Sequence, residues 1–137
     1  MPKQGYVLSM ESDQWEARTF DGYKDIRDAI GGYIEAIPVR CRATVYGHDE
    51  GKLIKLTPTA VWIDPESGQI LDILCGPLVV LGAVDKEGDD TSITPGQFEE
   101  VQQHIVPIVQ EEREFVIIPE PVMRFYSFDD KGNILDK

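Results

Sequence analysis

Apolar residues between positions 21 and 37 recur at helical spacing. Ile26, Ile30, Tyr33, Ile34 and Ile37 share one face of a helix. Asp21 is placed to cap its N-terminus, Asp25 and Asp28 lie near its positive end, and Pro38 stops it. The spacing predicts a helix over about residues 24–37, the element around which the chain is organised. Gly31 and Gly32 fall inside that run, where each costs about 1 kcal/mol relative to alanine. Close approach of a strand backbone, the central apolar run 78–84 first of all, or of a ligand is expected to offset that cost.

Elsewhere the pattern belongs to strands. Residues 5–9 read as an opening strand. Residues 14–20 alternate, with Trp15, Ala17 and Thr19 opposite Glu16 and Arg18, which makes a first hairpin across the turn at 11–13. Residues 42–46 and 52–56 flank the turn cluster 47–51 and predict a second hairpin. Residues 60–64 fit a strand or a short helix. Leu78 to Val84 is a continuous apolar run, expected as a central strand covered on both faces, with Gly76 and Gly82 beside it as bulges or tight contacts. Asp85 to Asp90 reads as a solvated acidic loop.

Thr94, Pro95 and Gln97 carry an N-cap, a first-turn proline and a capping box. They predict a second helix over about 95–106, with Phe98, Val101 and Ile105 on one face and Pro107 at its end. Residues 115–118 and 122–128 read as two last strands around Pro119-Glu-Pro121, and Asp129 to Asn133 closes the chain. The mixture predicts an α+β class, a single domain over 1–137 with mostly antiparallel sheet and two main helices.

The size, 137 residues, fits one domain, and 42% hydrophobic content suits a packed globule. Thirteen basic residues against 25 acidic ones give a formal net charge of −12. Such a surface repels nucleic acid and anionic membrane, so neither is expected as a direct partner. It suits a well-solvated protein or one with a basic partner. No apolar run reaches the roughly 18 residues that span a bilayer, and Met-Pro-Lys-Gln-Gly lacks the apolar core of a signal peptide, so the cytosol is the expected compartment. Cys41 and Cys75, without a CxxC spacing, are expected as two buried free thiols.

Catalytic patterns are sparse. The chain carries no GxSxG, Walker loop, GxGxxG or HExxH, so no enzyme and no cofactor are expected. His48-Asp49-Glu50 are three adjacent residues in a turn, which do not converge on one ion. The acidic loop from Asp85 has Asp90 where an EF-hand needs glycine and Gly96 where it needs glutamate, so no metal is expected. The candidate binding residues cluster around the glycine pair. Glu35 lies beside Gly31 and Gly32, Tyr33 offers a stacking surface, and Arg40 and Arg42 are placed to bind an anion or to pair with acids.

Three stretches carry a likeness: Gly31-Gly-Tyr-Ile-Glu35, Glu50-Gly-Lys-Leu53, and Asp72-Ile-x-x-Gly76 with Gly82 and Asp90-Thr-Ser-Ile-Thr94. In their order and spacing the chain resembles the domain of unknown function 3846 family over about residues 5–105. These are small proteins common in bacteriophages, plasmids and other mobile elements. The family pattern carries an asparagine shortly after the middle hairpin, where this chain reads Leu56-Thr-Pro-Thr-Ala60. The resemblance implies a phage or mobile-element accessory protein and no reaction. The function expected is that of a non-catalytic binding module for a host protein or small signalling molecule, with counter-defence as the role such capture would serve. The alternative is an acidic DNA mimic that occupies a DNA-binding host enzyme, and a flat apolar patch would point to a protein partner or to self-association.

Overall fold

The computed structural model describes residues 2–112, 115–118, 124–128 and 134–135, and the side chains of residues 2–109. Its class is α+β, built on mostly antiparallel sheets and two helices. Strands β1 (Lys3–Leu8) and β2 (Glu16–Phe20) form the expected first hairpin, with Lys3 opposite Phe20 and Val7 opposite Glu16. Helix α1 (Tyr23–Ile30) follows, then β3 (Ile34–Ile37) and β4 (Thr44–His48). Strands β5 (Pro58–Ile63), β6 (Ile70–Cys75) and β7 (Leu78–Leu81) come next, then α2 (Pro95–His104) and β8 (Ile105–Pro107). Residues 60–64, left between strand and helix by the pattern, fall in strand β5 as far as Ile63.

One sheet has the order β2-β1-β7-β4-β3 and a second the order β6-β5-β8. The run from Ile70 to Leu81 therefore crosses from one sheet to the other at Gly76-Pro77. Strand β7 takes the centre of the five-stranded sheet and all four of its residues are buried, but it stops at Leu81, three residues short of the expected end, and Val84 is exposed. Its side chains alternate between two cores. Val79 and Leu81 join Val7, Phe20, Ile26 and Ile30 beneath α1. Leu78 and Val80 join Leu8, Val45, Ala60, Leu74, Val101 and Ile105 between the sheets and α2. A third cluster, with Val61, Ile63, Ile73 and Val106, lies on the other face of the three-stranded sheet.

The organising helix is shorter than its pattern. It ends at Ile30, and Gly31 takes a left-handed conformation (φ 86°) with its N–H on the Arg27 carbonyl at 2.8 Å. That is a helix C-cap, which glycine adopts without the strain a Cβ would add. Gly31 and Gly32 are thus outside the helix. Ile34 and Ile37 continue the helical spacing by coincidence: on β3 they point to opposite faces, Ile34 to the core under α1 and Ile37 to the core between the sheets. The helix does pack on the central strand, but through Ile26 and Ile30. The N-cap position falls to Gly22 rather than Asp21, whose N–H donates to the Asp25 carboxylate at 2.6 Å.

A Cβ at Gly31 would meet nothing within 4 Å, so its conformation alone sets the cost of a substitution. Gly31→Ala should lose about 1 kcal/mol, and Gly31→Asn, which tolerates the left-handed region, should recover most of it. Urea midpoints measure both, and a raised midpoint for the alanine variant would contradict the cap.

The second hairpin is not formed as the pattern suggests. Strand β4 pairs with β3 and β7 instead. Residues 50–56 fold into turns, with Gly51 N–H on the His48 carbonyl, Ile54 N–H on Glu50, Lys55 N–H on Lys52 and Leu56 N–H on Gly51. Lys55 is left-handed (φ 59°), which breaks any extended run there. Lys-Leu-Ile-Lys-Leu does not alternate, and its Leu53 and Ile54 are exposed.

The capping box of α2 is present: Thr94 Oγ1 accepts from Gln97 N–H at 3.1 Å, and Gln97 Oε1 accepts from Thr94 N–H at 3.0 Å. The helix stops at His104, two residues short of its predicted end. Ile105 to Pro107 pair instead with β5. Phe98 stacks on Tyr6 with ring centroids 3.7 Å apart, and Trp15 meets it edge-on at 5.9 Å. Cys75 is buried and Cys41 partly so, and both are free thiols.

Strands β9 (Val109–Glu112), β10 (Phe115–Ile118), β11 (Arg124–Phe128) and β12 (Ile134–Leu135) form a sheet of their own in the order β12-β11-β10-β9. The two last strands expected from the pattern correspond to β10 and β11. The turn at 119–121 and the segment 129–133 lie outside the described residues. Among the described residues no helix is long and apolar enough to cross a membrane.

Candidate functional site

Glu35 and Ile37 share one face of β3, and Gly47 stands opposite Glu35 on β4. With no side chain at 47, Ile37 packs over that position, its Cδ1 2.9 Å from where a Cβ would stand. The turn after β4 and the strand β6 close the other sides. The result is a hollow of about 280 Å³. Its floor is apolar, with Ile37, Ile73, Leu74 and Leu78, and the buried Cys75 also borders it. Its rim is charged, with Glu35, Asp49, Glu50 and Asp72 against a single ammonium, Lys52.

The rim is ordered by local hydrogen bonds. His48 Nδ1 accepts from Glu50 N–H at 3.0 Å, which fixes the imidazole and the start of the turn. Lys52 Nζ donates to Asp72 Oδ1, and the same oxygen accepts Ile73 N–H at 2.8 Å. Burial pushes the Cys75 thiol up, with the Lys52 ammonium opposing and the Asp72 carboxylate adding to the rise. The thiol is therefore protonated at neutral pH and is not an activated nucleophile. Four carboxylates around an apolar floor attract a cationic group on an apolar stem and repel phosphate. The volume falls just under the roughly 300–1,000 Å³ of sites for drug-sized ligands, so it suits one side chain or a small fragment.

Of the six residues singled out in the sequence, Glu35 alone lines this hollow. Gly32 lies against His48, where a Cβ would strike the imidazole at Nε2. It makes room for that ring, and Asp49 N–H donates to the Tyr33 carbonyl at 3.0 Å beside it. Gly31 is the helix cap. Tyr33 is 66% exposed, with the Arg27 guanidinium 4.7 Å above its ring. Arg42 pairs with Glu100 through its Nε and its backbone N–H, and this guanidinium holds the Glu100 carboxyl below its usual range. Arg40 is exposed. The structure does not gather these residues into one pocket.

Sequence reasoning missed Lys52, Asp72 and Cys75 as neighbours of Glu35. A signal was present. The three stretches that carry the family likeness contribute Glu35, then Glu50 to Leu53, then Asp72 to Cys75, and all of these line the hollow.

A larger hollow of about 770 Å³ opens beside α1 and the acidic loop, lined among others by Lys3, Asp21, Tyr46 and Asp90. Carboxylates of Asp85, Glu87 and Asp89 come within 4.8 Å of one another there, all exposed. Loop geometry explains the grouping. Asp85 Oδ1 accepts from the N–H groups of Glu87 (2.9 Å) and Asp89 (3.0 Å), an Asx-type turn. Tyr46 Oη donates to Asp90 Oδ1 at 2.6 Å and ties the loop to β4. Burial first, and that carboxylate second, push the Tyr46 hydroxyl far up.

Residues 4–106 match the model of a family described as domain of unknown function (DUF3846). The match ends inside β8. No curated protein and no solved structure matches the chain.

Proposed function

The chain belongs to the DUF3846 family, and on that premise we propose that it is a non-catalytic binding module, an accessory protein of a bacteriophage or other mobile element that captures a host protein through the hollow beside Glu35. The observation that carries this reading is the hollow's make-up: an apolar floor, a rim of four carboxylates, and a lining to which each of the three stretches that mark the family likeness contributes. Charge and volume favour a protein side chain over a phosphate-bearing signalling molecule. A counter-defence role in the host cytosol fits such capture.

The test is native mass spectrometry of protein recovered from the host that carries it, wild type beside Glu35→Lys. Wild type should retain a stoichiometric partner, and Glu35→Lys, with an unchanged circular dichroism spectrum, should lose it. Retention of nothing by wild type, or equal retention by both, would sink the reading.

A second reading, DNA mimicry, rests on Asp21, Asp85, Glu87, Asp89 and Asp90 around the larger hollow. Inhibition of a DNA-binding enzyme by a mimic weakens steeply as salt rises, and salt-independent inhibition would remove that reading.

A further inference from the structure

The chain already places one cation in its own acidic hollow. Lys52 comes from the turn after β4 and donates to Asp72 on β6, with both side chains partly open to solvent. An exposed pair of this kind contributes only about 0.2–1 kcal/mol, so a competing cation can displace it at small cost. The Lys52 backbone is held in the turn, with its carbonyl accepting from Lys55 N–H at 3.2 Å, so the exchangeable part is the ammonium on Asp72. The next residues, Leu53 (79% exposed) and Ile54 (51%), project into solvent, and Leu71, next to Asp72, is 51% exposed as well. Apolar groups therefore flank both members of the pair, and β6 ends its sheet at this edge.

Resting on the reading of this hollow as a binding site, we propose that its occupant is a short basic and apolar segment of a protein partner, one lysine or arginine of which replaces Lys52 at Asp72. Charge complementarity selects the class. The rim holds Glu35, Asp49, Glu50 and Asp72 against one lysine, and the chain as a whole carries −12. The apolar floor takes the methylene stem of the entering side chain, as buried stems of Lys and Arg do elsewhere. Leu53, Ile54 and Leu71 then cover apolar residues on either side of it. A small free amine would leave those three side chains in water. A second copy of this acidic chain would bring like charge to the rim. Lys52 acts as a tethered competitor, a stand-in that keeps Asp72 paired until the partner arrives.

The probe is a fluorescein-labelled peptide, acetyl-Leu-Lys-Leu-Lys-Leu-amide, titrated with the full chain at low salt and read by fluorescence polarisation. The peptide should bind, its counterpart with glutamate in place of lysine should not, and spermidine should compete poorly. Lys52→Gln should tighten binding roughly two- to fivefold, the factor that release of an exposed ion pair allows. Lys86→Gln makes the same change in net charge on the acidic loop and should leave affinity unchanged. Glu35→Gln should weaken binding.

Unchanged or weaker binding by Lys52→Gln, or equal tightening by Lys86→Gln, would overturn the proposal. Spermidine competing as well as the peptide would replace the protein segment with a free amine. Concentration-dependent dimerisation abolished by Leu53→Ser would give the surface to a second copy. Binding of the glutamate peptide alone, sensitive to Glu35→Gln, would overturn this ligand class and leave the hollow as a binding site. Binding of no probe in a chain that still captures its partner through Glu35 would separate the two in the same way.

Discussion

Phe20→Ala should cost about 3–5 kcal/mol of stability, the range for truncating a fully buried aromatic ring. Phe20 is 1% exposed at the end of β2. Its ring lies in the core under α1, with Val7 and Leu81 from the sheet and Ile26 and Ile30 from the helix. Helix α1 has only eight residues, too few to persist without packing. Removing the ring empties the space the helix rests on, and the helix cannot sink far because its C-cap leads directly into β3. A domain of this size holds about 5–15 kcal/mol in total, so the variant should sit near its unfolding threshold at 37 °C. Urea titration with a fixed slope measures the loss. Tyr23→Ala, at an exposed position on the same helix, should stay within about 0.5 kcal/mol of wild type. A loss under about 1 kcal/mol for Phe20→Ala would mean that α1 is not packed on the sheet as described.

Gly51→Ala should be the second large effect, and it should damage the site as well as the fold. Gly51 is buried in the turn after β4, and a Cβ there would run into the Cys75 carbonyl of β6. Backbone, unlike a flexible side-chain tip, cannot move aside cheaply, so the turn itself must shift. Overpacking of this kind costs about 1–3 kcal/mol. The shift carries Lys52 away from Asp72 and widens one wall of the hollow. Both a lowered urea midpoint and altered binding at Glu35 are therefore expected from one methyl group. Ala at position 96, where the nearest atom to a new Cβ is the Arg42 guanidinium at 3.8 Å, should be tolerated by comparison. A Gly51→Ala protein as stable as wild type would show that the turn does not lie against β6.

Much of the fold was legible because local signals agreed with the tertiary outcome. The capping box at Thr94 and Gln97, the continuous run from Leu78, and the alternation in residues 14–20 each specify one structure. The errors have physical causes that differ from one stretch to the next. Ile26, Ile30, Ile34 and Ile37 fit one helical face, and periodicity cannot distinguish a long helix from a short helix whose following strand keeps the same spacing. The glycine pair was the available discriminator, since glycine just past the last helical turn is a stop signal. The turn at 50–56 was misread because strand partners are not local. Strand β4 finds β3 and β7, and residues after Gly51 are left to turn. The site was the least legible part, because Glu35, Lys52 and Asp72 are far apart in sequence and meet only when the edges of two sheets come together. Hydrophobic pattern and composition do not mark such a meeting; the three stretches of family likeness, read together, were the one signal that pointed to it.

Hydrogen–deuterium exchange of the full chain, alone and with the partner proposed for it, tests the binding role of the hollow most directly. Slowed exchange is predicted in residues 35–37, 47–53 and 71–75, the segments that build the floor, turn and edge of the hollow, with the loop at 85–90 unchanged. Protection confined to the 85–90 loop and the N-terminus of α1, with none at 47–53, would contradict the assignment and place the partner on the acidic face instead.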